Sequence, residues 1–212
     1  MSQVNISLEI ATHLLEIKAI KLSPKRPVSW SSGWKSPIYC DNRLSLSYPS
    51  IRTLIKNQLA EVTKDKFPEV ECIAGVATAG IPQGALLADV LDLPFIYVRS
   101  KPKEHGLENM IEGKITKKQK VVIMEDLVST GGSSLKAAES LKASGFKVLG
   151  MVAIFTYGFE LAQKNFENAG IPLYTLSNYA DMLVAAQNKG MVSDKDLLQL
   201  KSWRVDPEHW GK

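Results

Sequence analysis

The chain has 212 residues, 45% of them hydrophobic and 23% charged, and carries a formal net charge of +4. That length supports one α/β domain with a full core, with room for a small appended subdomain, and no apolar run approaches the roughly 20 residues needed to span a bilayer. The mild positive charge does not call for a nucleic acid, though it suits a polyanionic small substrate.

In chain order, an amphipathic helix is expected over 7–19 and a second over 50–64. Apolar runs at 72–77, 94–98, 121–124, 148–155 and 173–176 then alternate with helical stretches, which is a βα repeat. No linker, repeat or low-complexity tract interrupts it. The first 60 or so residues and the last 25 or so are therefore expected to pack onto the same core, as one domain over 1–212 with a small hood contributed mainly by about 1–45 and part of the C-terminal region. The amino terminus shows no basic-then-apolar-then-small signal pattern, so the cytoplasm is the expected compartment.

Cys40 and Cys72 are far apart, with no C-x-x-C and no neighbouring His, so neither a metal site nor a disulfide framework is indicated, and Cys72 is expected as a buried thiol. Lys114, Lys117, Lys118 and Lys120 form a basic cluster without interleaved aromatics. It is expected to decorate a solvated turn rather than bind RNA.

The most informative run begins at Val121. Val121 to Met124 have the length and character of a buried strand, Glu125 and Asp126 follow, and Leu127, Val128, Ser129, Thr130, Gly131, Gly132 and Ser133 lead into helical spacing from Leu135. A helix start offers unpaired N–H groups and partial positive charge, and Gly131 and Gly132 have no Cβ to hold an anion's oxygens away. Ionised carboxylates beside it accept hydrogen bonds from vicinal hydroxyls, so a sugar next to a phosphate is the implied ligand. The P-loop and dinucleotide fingerprints are both absent. The competing reading is an ordinary βα turn in which Ser129 or Thr130 caps the helix and both acids are solvated.

Two further loops follow expected strands, where ligands bind in open α/β sheets. The stretch 77–84, with Ala79, Gly80 and Gly84, either lets backbone amides approach a diphosphate or allows a close helix–strand crossing. The stretch from Arg99 through Lys101, Lys103, His105 and Gly106 to Gly113 has the character of a mobile cationic lid. Near the amino terminus, 28–41 suggests a hairpin with Gly33 in the turn and Pro37 on an edge strand. Such a hairpin offers backbone amides and carbonyls for hydrogen bonding, with Lys35 adding a positive charge.

The strand, paired acids and T-G-G-S turn resemble the donor-binding signature of type I phosphoribosyltransferases. The segment Ser32, Gly33, Lys35, Ser36, Pro37 and Tyr39 resembles the S-G-x-K-S-P-x-Y segment of the orotate phosphoribosyltransferases in that family. The resemblance implies a type I phosphoribosyltransferase fold, with a central, mostly parallel sheet flanked by helices and a small hood from the N-terminal segment and part of the C-terminal one. It implies phosphoribosyl transfer from phosphoribosyl pyrophosphate to N1 of orotate, with Mg²⁺ riding on the substrate rather than in a protein cage. By position it assigns Glu125 and Asp126 to the ribose hydroxyls, with Leu127 and Val128 in the donor site. Residues 129–133 are assigned to the 5′-phosphate, and Arg99, Lys103 and His105 to pyrophosphate. Lys103, His105 and Asp126 are the catalytic set, and Ser129, Tyr39 and Cys40 the orotate contacts.

The resemblance also implies a homodimer with lid residues shared between subunits, and no nucleic-acid or membrane partner. The chain departs from the pattern at Ala79, where some orotate enzymes have lysine, at Ser100, with Lys101 shifted by one, and at Tyr157, where some members have arginine. A phosphoribosyltransferase for a purine or uracil, a non-catalytic regulator on the same fold, and a sugar-phosphate binding module are the alternative readings.

Overall fold

The computed structural model describes residues 5–30, 33–100 and 110–211. The first elements are α1 (Ile6–Glu16), β1 (Ile20–Leu22), β2 (Val28–Ser29), β3 (Lys35–Ser36), β4 (Ile38–Cys40), a 3₁₀ turn (Asn42–Ser47) and α2 (Pro49–Lys66). Then come β5 (Cys72–Val76), α3 (Gly80–Leu91), β6 (Phe95–Val98), β7 (Ile111–Glu112), β8 (Lys120–Val128), α4 (Gly132–Ala143) and β9 (Lys147–Thr156). The last are α5 (Glu160–Ala169), β10 (Leu173–Asn178), α6 (Tyr179–Asn188) and α7 (Asp194–Val205).

These elements form two compact units, Arg52–Leu176 and the pair Met1–Ile51 with Ser177–Lys212. In the larger unit, six strands lie in the order β10-β9-β8-β5-β6-β7. The β5–β6, β5–β8 and β8–β9 pairs are parallel and the β6–β7 pair is antiparallel. Every residue of β5 is buried, which is why its sequence is a continuous apolar run rather than an alternating one. On one face Cys72, Ala74, Val121, Ile123, Met151 and Ala153 pack with Ala137, Ala138 and Leu141 of α4 and Ala162 and Phe166 of α5. Cys72 is fully buried, and desolvation pushes its thiol up to about 11.

In the smaller unit, α1 is capped by the Asn5 side chain, which accepts from the Ser7 and Leu8 amides. The helix ends at Glu16, three residues before the sequence expectation, because Lys18 takes a left-handed conformation (φ 59°) and turns the chain into β1. β1 pairs with β4 in antiparallel register, Ile20 opposite Cys40. The expected hairpin is present, with β2 against β3 and Gly33 at φ 86°. Pro37 is not on a strand; it sits in the bend between β3 and β4, where its carbonyl accepts from the Ser23 amide at 2.7 Å.

Glycines set the closest approaches in the larger unit. A Cβ on Gly80 would lie 2.5 Å from the Met124 carbonyl oxygen, and one on Gly75 would lie 2.8 Å from the Gly80 carbonyl. The α3 entry therefore presses directly on β5 and β8, and the small-residue content of 77–84 has a packing cause of its own. Gly80→Ala should cost about 1–3 kcal/mol of stability, because rigid backbone would have to move. A urea unfolding midpoint unchanged from wild type would contradict this close crossing.

Candidate functional site

The chain leaves β5 through α3 to reach β6, then returns to place β8 on the opposite side of β5. The direction of winding thus reverses between β5 and β8, and open α/β sheets bind ligands at the carboxyl ends flanking such a reversal. The loop 77–79 and the turn 129–131 both lie there. The start of α3, directly after the first loop, lies against β8, with the Cβ position of Gly80 3.5 Å from the Glu125 Cα. The Ala77–Thr78 peptide in the first loop is cis.

β8 continues four residues past the expected strand end. Leu127 pairs with Phe155 and Val128 with Thr156, so both acids lie within the strand. The turn that follows differs from a side-chain-capped one. The N-cap of α4 is Gly131, at φ 81°, which supplies no side-chain cap hydrogen bond. Neither Ser129 nor Thr130 serves as cap, so the first-turn amides are left for an anion. The two glycines have different causes. Gly131 is required by its positive φ and by Phe166, whose ring would be 2.7 Å from a Cβ. Gly132 is exposed, and the nearest non-local atom to its Cβ position is the Thr130 hydroxyl at 4.0 Å. Its lack of a side chain has no packing cause and leaves the backbone open to a ligand.

The paired acids are not equivalent. Strand alternation carries Glu125 onto the face of Val121 and Ile123, beneath α4, and it is only 6% exposed. Its Oε1 accepts from the Asp126 amide at 3.0 Å and its Oε2 from the Ser134 hydroxyl at 2.9 Å. Burial first, and the neighbouring Asp126 carboxylate second, push its pKa up to about 8. Asp126 is half-buried. The sequence expectation gave both acids to the ribose hydroxyls as ionised acceptors. In the structure both Glu125 oxygens are hydrogen-bonded within the protein, and Asp126 is the more exposed of the two acids.

Several supporting residues escaped the sequence reading. Ser134 is almost fully buried against Glu125. Asn165 on α5 donates from Nδ2 to the Thr130 carbonyl at 2.9 Å. The Val128 carbonyl accepts from the Thr156 hydroxyl at 3.1 Å and from the Tyr157 amide at 3.2 Å. Strand phase would have found Glu125 and its partner, had β8 been continued past Met124. No local signal marks Asn165, because its contact crosses 35 residues.

The remaining expected site residues are distributed as follows. Arg99 closes β6. Its amide donates to the Met110 carbonyl at 2.7 Å and its guanidinium pairs with Glu112 at 3.5 Å. Lys101, Lys103 and His105 lie outside the described residues, as do Ser31 and Ser32. Tyr39 is exposed and Cys40 half-buried, both on β4 of the smaller unit, and the Cys40 thiol donates to Asn42 Oδ1 at 3.3 Å. Tyr157 is 2% exposed between Phe155 and Phe159, with ring centroids at 5.8 and 5.5 Å. It is a packing residue and does not stand in for an arginine. Among the described residues no three His, Cys, Asp or Glu side chains come together as a metal site, and no helix is long and apolar enough to cross a membrane.

A glutamate whose folded pKa is raised contributes stability that is fully present below its ordinary value of 4.5 and is lost as the pH climbs toward about 8. Urea midpoints measured from pH 5 to pH 8 should therefore fall less for Glu125→Gln than for wild type. Parallel falls would sink the assignment. Ser134→Ala should cost about 1–3 kcal/mol, since it strips a partner from a buried carboxyl.

Comparison with known proteins gives this geometry a family. Residues 46–168 match the phosphoribosyl transferase domain. The chain is 56% identical over 209 residues to the orotate phosphoribosyltransferase of Cytophaga hutchinsonii, covering 99% of this chain and all of that one. Among solved structures, it resembles the orotate phosphoribosyltransferase of Aeropyrum pernix with a TM-score of 0.75 at 28% identity, over 87% of this chain and 99% of that one. It also resembles the UMP synthase of Leishmania donovani with a TM-score of 0.79 at 25% identity, over 93% of this chain but only 42% of that longer one. With an uncapped helix start and a half-exposed carboxylate at the sheet's reversal point, and with a family model and a full-length relative that agree, the chain belongs to the phosphoribosyltransferase family, among its orotate phosphoribosyltransferases.

Proposed function

We propose that the chain transfers the 5-phosphoribosyl group from phosphoribosyl pyrophosphate to N1 of orotate, giving orotidine 5′-monophosphate and pyrophosphate. This is a step of pyrimidine nucleotide synthesis, placed in the cytoplasm. The observation that carries the donor half is the bare start of α4, whose Gly131 cap supplies no side chain while Asp126 stands beside it. The acceptor half is supported by full-length similarity to proteins bearing that name.

In this mechanism the amides and hydroxyls of 129–133 hold the 5′-phosphate, and Asp126 takes the ribose hydroxyls. Glu125 keeps the turn in place through Ser134. Bond breaking builds positive character on the ribose and negative charge on the departing pyrophosphate, and preorganised cations lower that barrier. Arg99, Lys103 and His105 fill this role, with Arg99 exchanging its 3.5 Å pairing with Glu112 for the diphosphate. Ser129 reaches the base, with the backbone of Tyr39 and Cys40 reading its edge. Positioning and electrostatics carry the rate, with no covalent intermediate on the protein.

The donor set at the turn consists of carboxylate and hydroxyl oxygens, which suits a hard cation shared with the substrate's own oxygens. Mg²⁺, carried on the donor, would offset the diphosphate's charge. Lys103 and His105 are proposed to serve a neighbouring subunit's site in a homodimer.

A base panel with phosphoribosyl pyrophosphate, run with and without Mg²⁺, tests the assignment. Orotate should turn over and depend on the metal; turnover of a purine or uracil instead would redirect the acceptor, and salt-sensitive nucleic-acid binding without turnover would point to a regulator. Mixing Lys103→Ala with Asp126→Ala should restore part of the lost activity. No recovery despite demonstrated subunit exchange would argue against a shared site.

A further inference from the structure

The β2–β3 hairpin of the smaller unit has little to hold it by itself. Each strand is two residues long, paired only as Val28 with Ser36 and Ser29 with Lys35, and such a ribbon is marginal without further packing. Its conformation is instead set from the far end of the chain. Trp203 on α7 is completely buried, and its indole N–H donates to the Lys35 carbonyl at 3.1 Å. The same indole meets Trp30 edge-to-face at 5.6 Å. Trp30 in turn stacks with Trp34 at 6.4 Å across the turn, where the Trp30 amide donates to the Trp34 carbonyl at 2.9 Å.

A second tie comes from the Lys35 ammonium, which donates to the Gly211 carbonyl at 2.9 Å. That contact engages the lysine with the C-terminal segment, a role the sequence reading had not given it. Trp203 is itself seated by Tyr179 of α6, with ring centroids 5.5 Å apart, and the Tyr179 hydroxyl donates to the Leu200 carbonyl on α7 at 3.1 Å. The hairpin passes this constraint on. Ser36 is fully buried; its hydroxyl donates to the Ile38 carbonyl at 2.8 Å and accepts from the Ile38 amide at 3.2 Å. The bend between β3 and β4 is thereby fixed, and β4 carries Tyr39 and Cys40.

We infer that α7, acting through the Trp203 indole on the Lys35 carbonyl, is the positioning element for the acceptor base, setting the hairpin and β4 backbone that read its edge. This rests on the functional reading above, in which Tyr39 and Cys40 face the base. Trp203 touches no reacting atom and is a positioning residue. The donor turn lies in the other unit and has its own supports, so the two substrates should respond differently when this brace is weakened.

Trp203→Phe keeps an aromatic ring and removes the N–H. Steady-state kinetics with the full chain should show KM for orotate rising roughly fivefold to tenfold and KM for phosphoribosyl pyrophosphate staying within about twofold, as the loss of one hydrogen bond at one subsite requires. Tyr179→Phe, which only releases the anchor on α7, should move orotate KM in the same direction by a smaller factor and serves should Trp203→Phe fail to fold. A lowered unfolding midpoint with unchanged orotate KM would overturn the inference, as would an equal rise in both KM values. If the wild-type protein turns over a different base, the acceptor reading fails while the brace is still tested, because that base's KM should then rise instead. No turnover with any base would overturn both.

Discussion

The candidate site depends on one constraint: a helix start that is to take an anion must be free of a side-chain cap, and the turn before it must still hold a single shape. A capped helix would be more stable alone, but the cap would occupy the amides the ligand needs. In this chain the missing support comes from the flanks. The Glu125 carboxyl joins the β8 backbone at Asp126 to Ser134 in the first turn of α4. Asn165 holds the Thr130 carbonyl, Phe166 closes over Gly131, and the end of β9 holds the Val128 carbonyl. Five contacts from β8, α5 and β9 stand in for one cap, and Gly132 itself is left exposed.

How much of this is legible in the sequence follows from how local each cause is. The five long apolar runs and the order of strands and helices are visible because burial on both faces of a parallel sheet writes itself as an uninterrupted apolar run. The T-G-G-S turn is visible because glycine and small hydroxyls are punctuation. The short β1 to β4 ladder is only partly so, because two- and three-residue strands carry too few positions to show a period. Glu125 illustrates a different failure. A charged residue suggests that the strand has ended, yet the backbone continues because burial in this position is made tolerable by two hydrogen bonds and a pKa raised toward the neutral form. Asn165, Trp203 and Gly211 act over 35, 168 and 176 residues respectively, and single-sequence patterns hold no information at that range.

The two units solve the same problem with different materials. In the larger unit, a polar group fixes a backbone that must remain open to an anion, so the supports are directional hydrogen bonds. In the smaller unit the ribbon is too short to stabilise itself, and large rings supply contact area that two-residue strands cannot. Trp203 combines both, burying its ring fully while its N–H finds the Lys35 carbonyl, as a buried indole must.

The raised pKa of Glu125 bears on the charge of the proposed donor as well as on the fold. Two ionised carboxylates beside a phosphate and a diphosphate would repel them, and at about 4 Å each such pair costs roughly 1 kcal/mol in water and about 4 kcal/mol near a protein surface. A turn with two acids therefore gains from holding one of them neutral. Burial beneath α4 favours the neutral form of Glu125, as do the Asp126 charge and a hydrogen bond with the Asp126 side chain, while the Ser134 hydroxyl favours the ionised form. In the proposed mechanism it is Asp126, half-buried, that is offered to the sugar. The adjacent acids that look redundant in the sequence thus differ in their surroundings, Glu125 buried beneath α4 and Asp126 half-buried, and it is the alternation of β8 that places each.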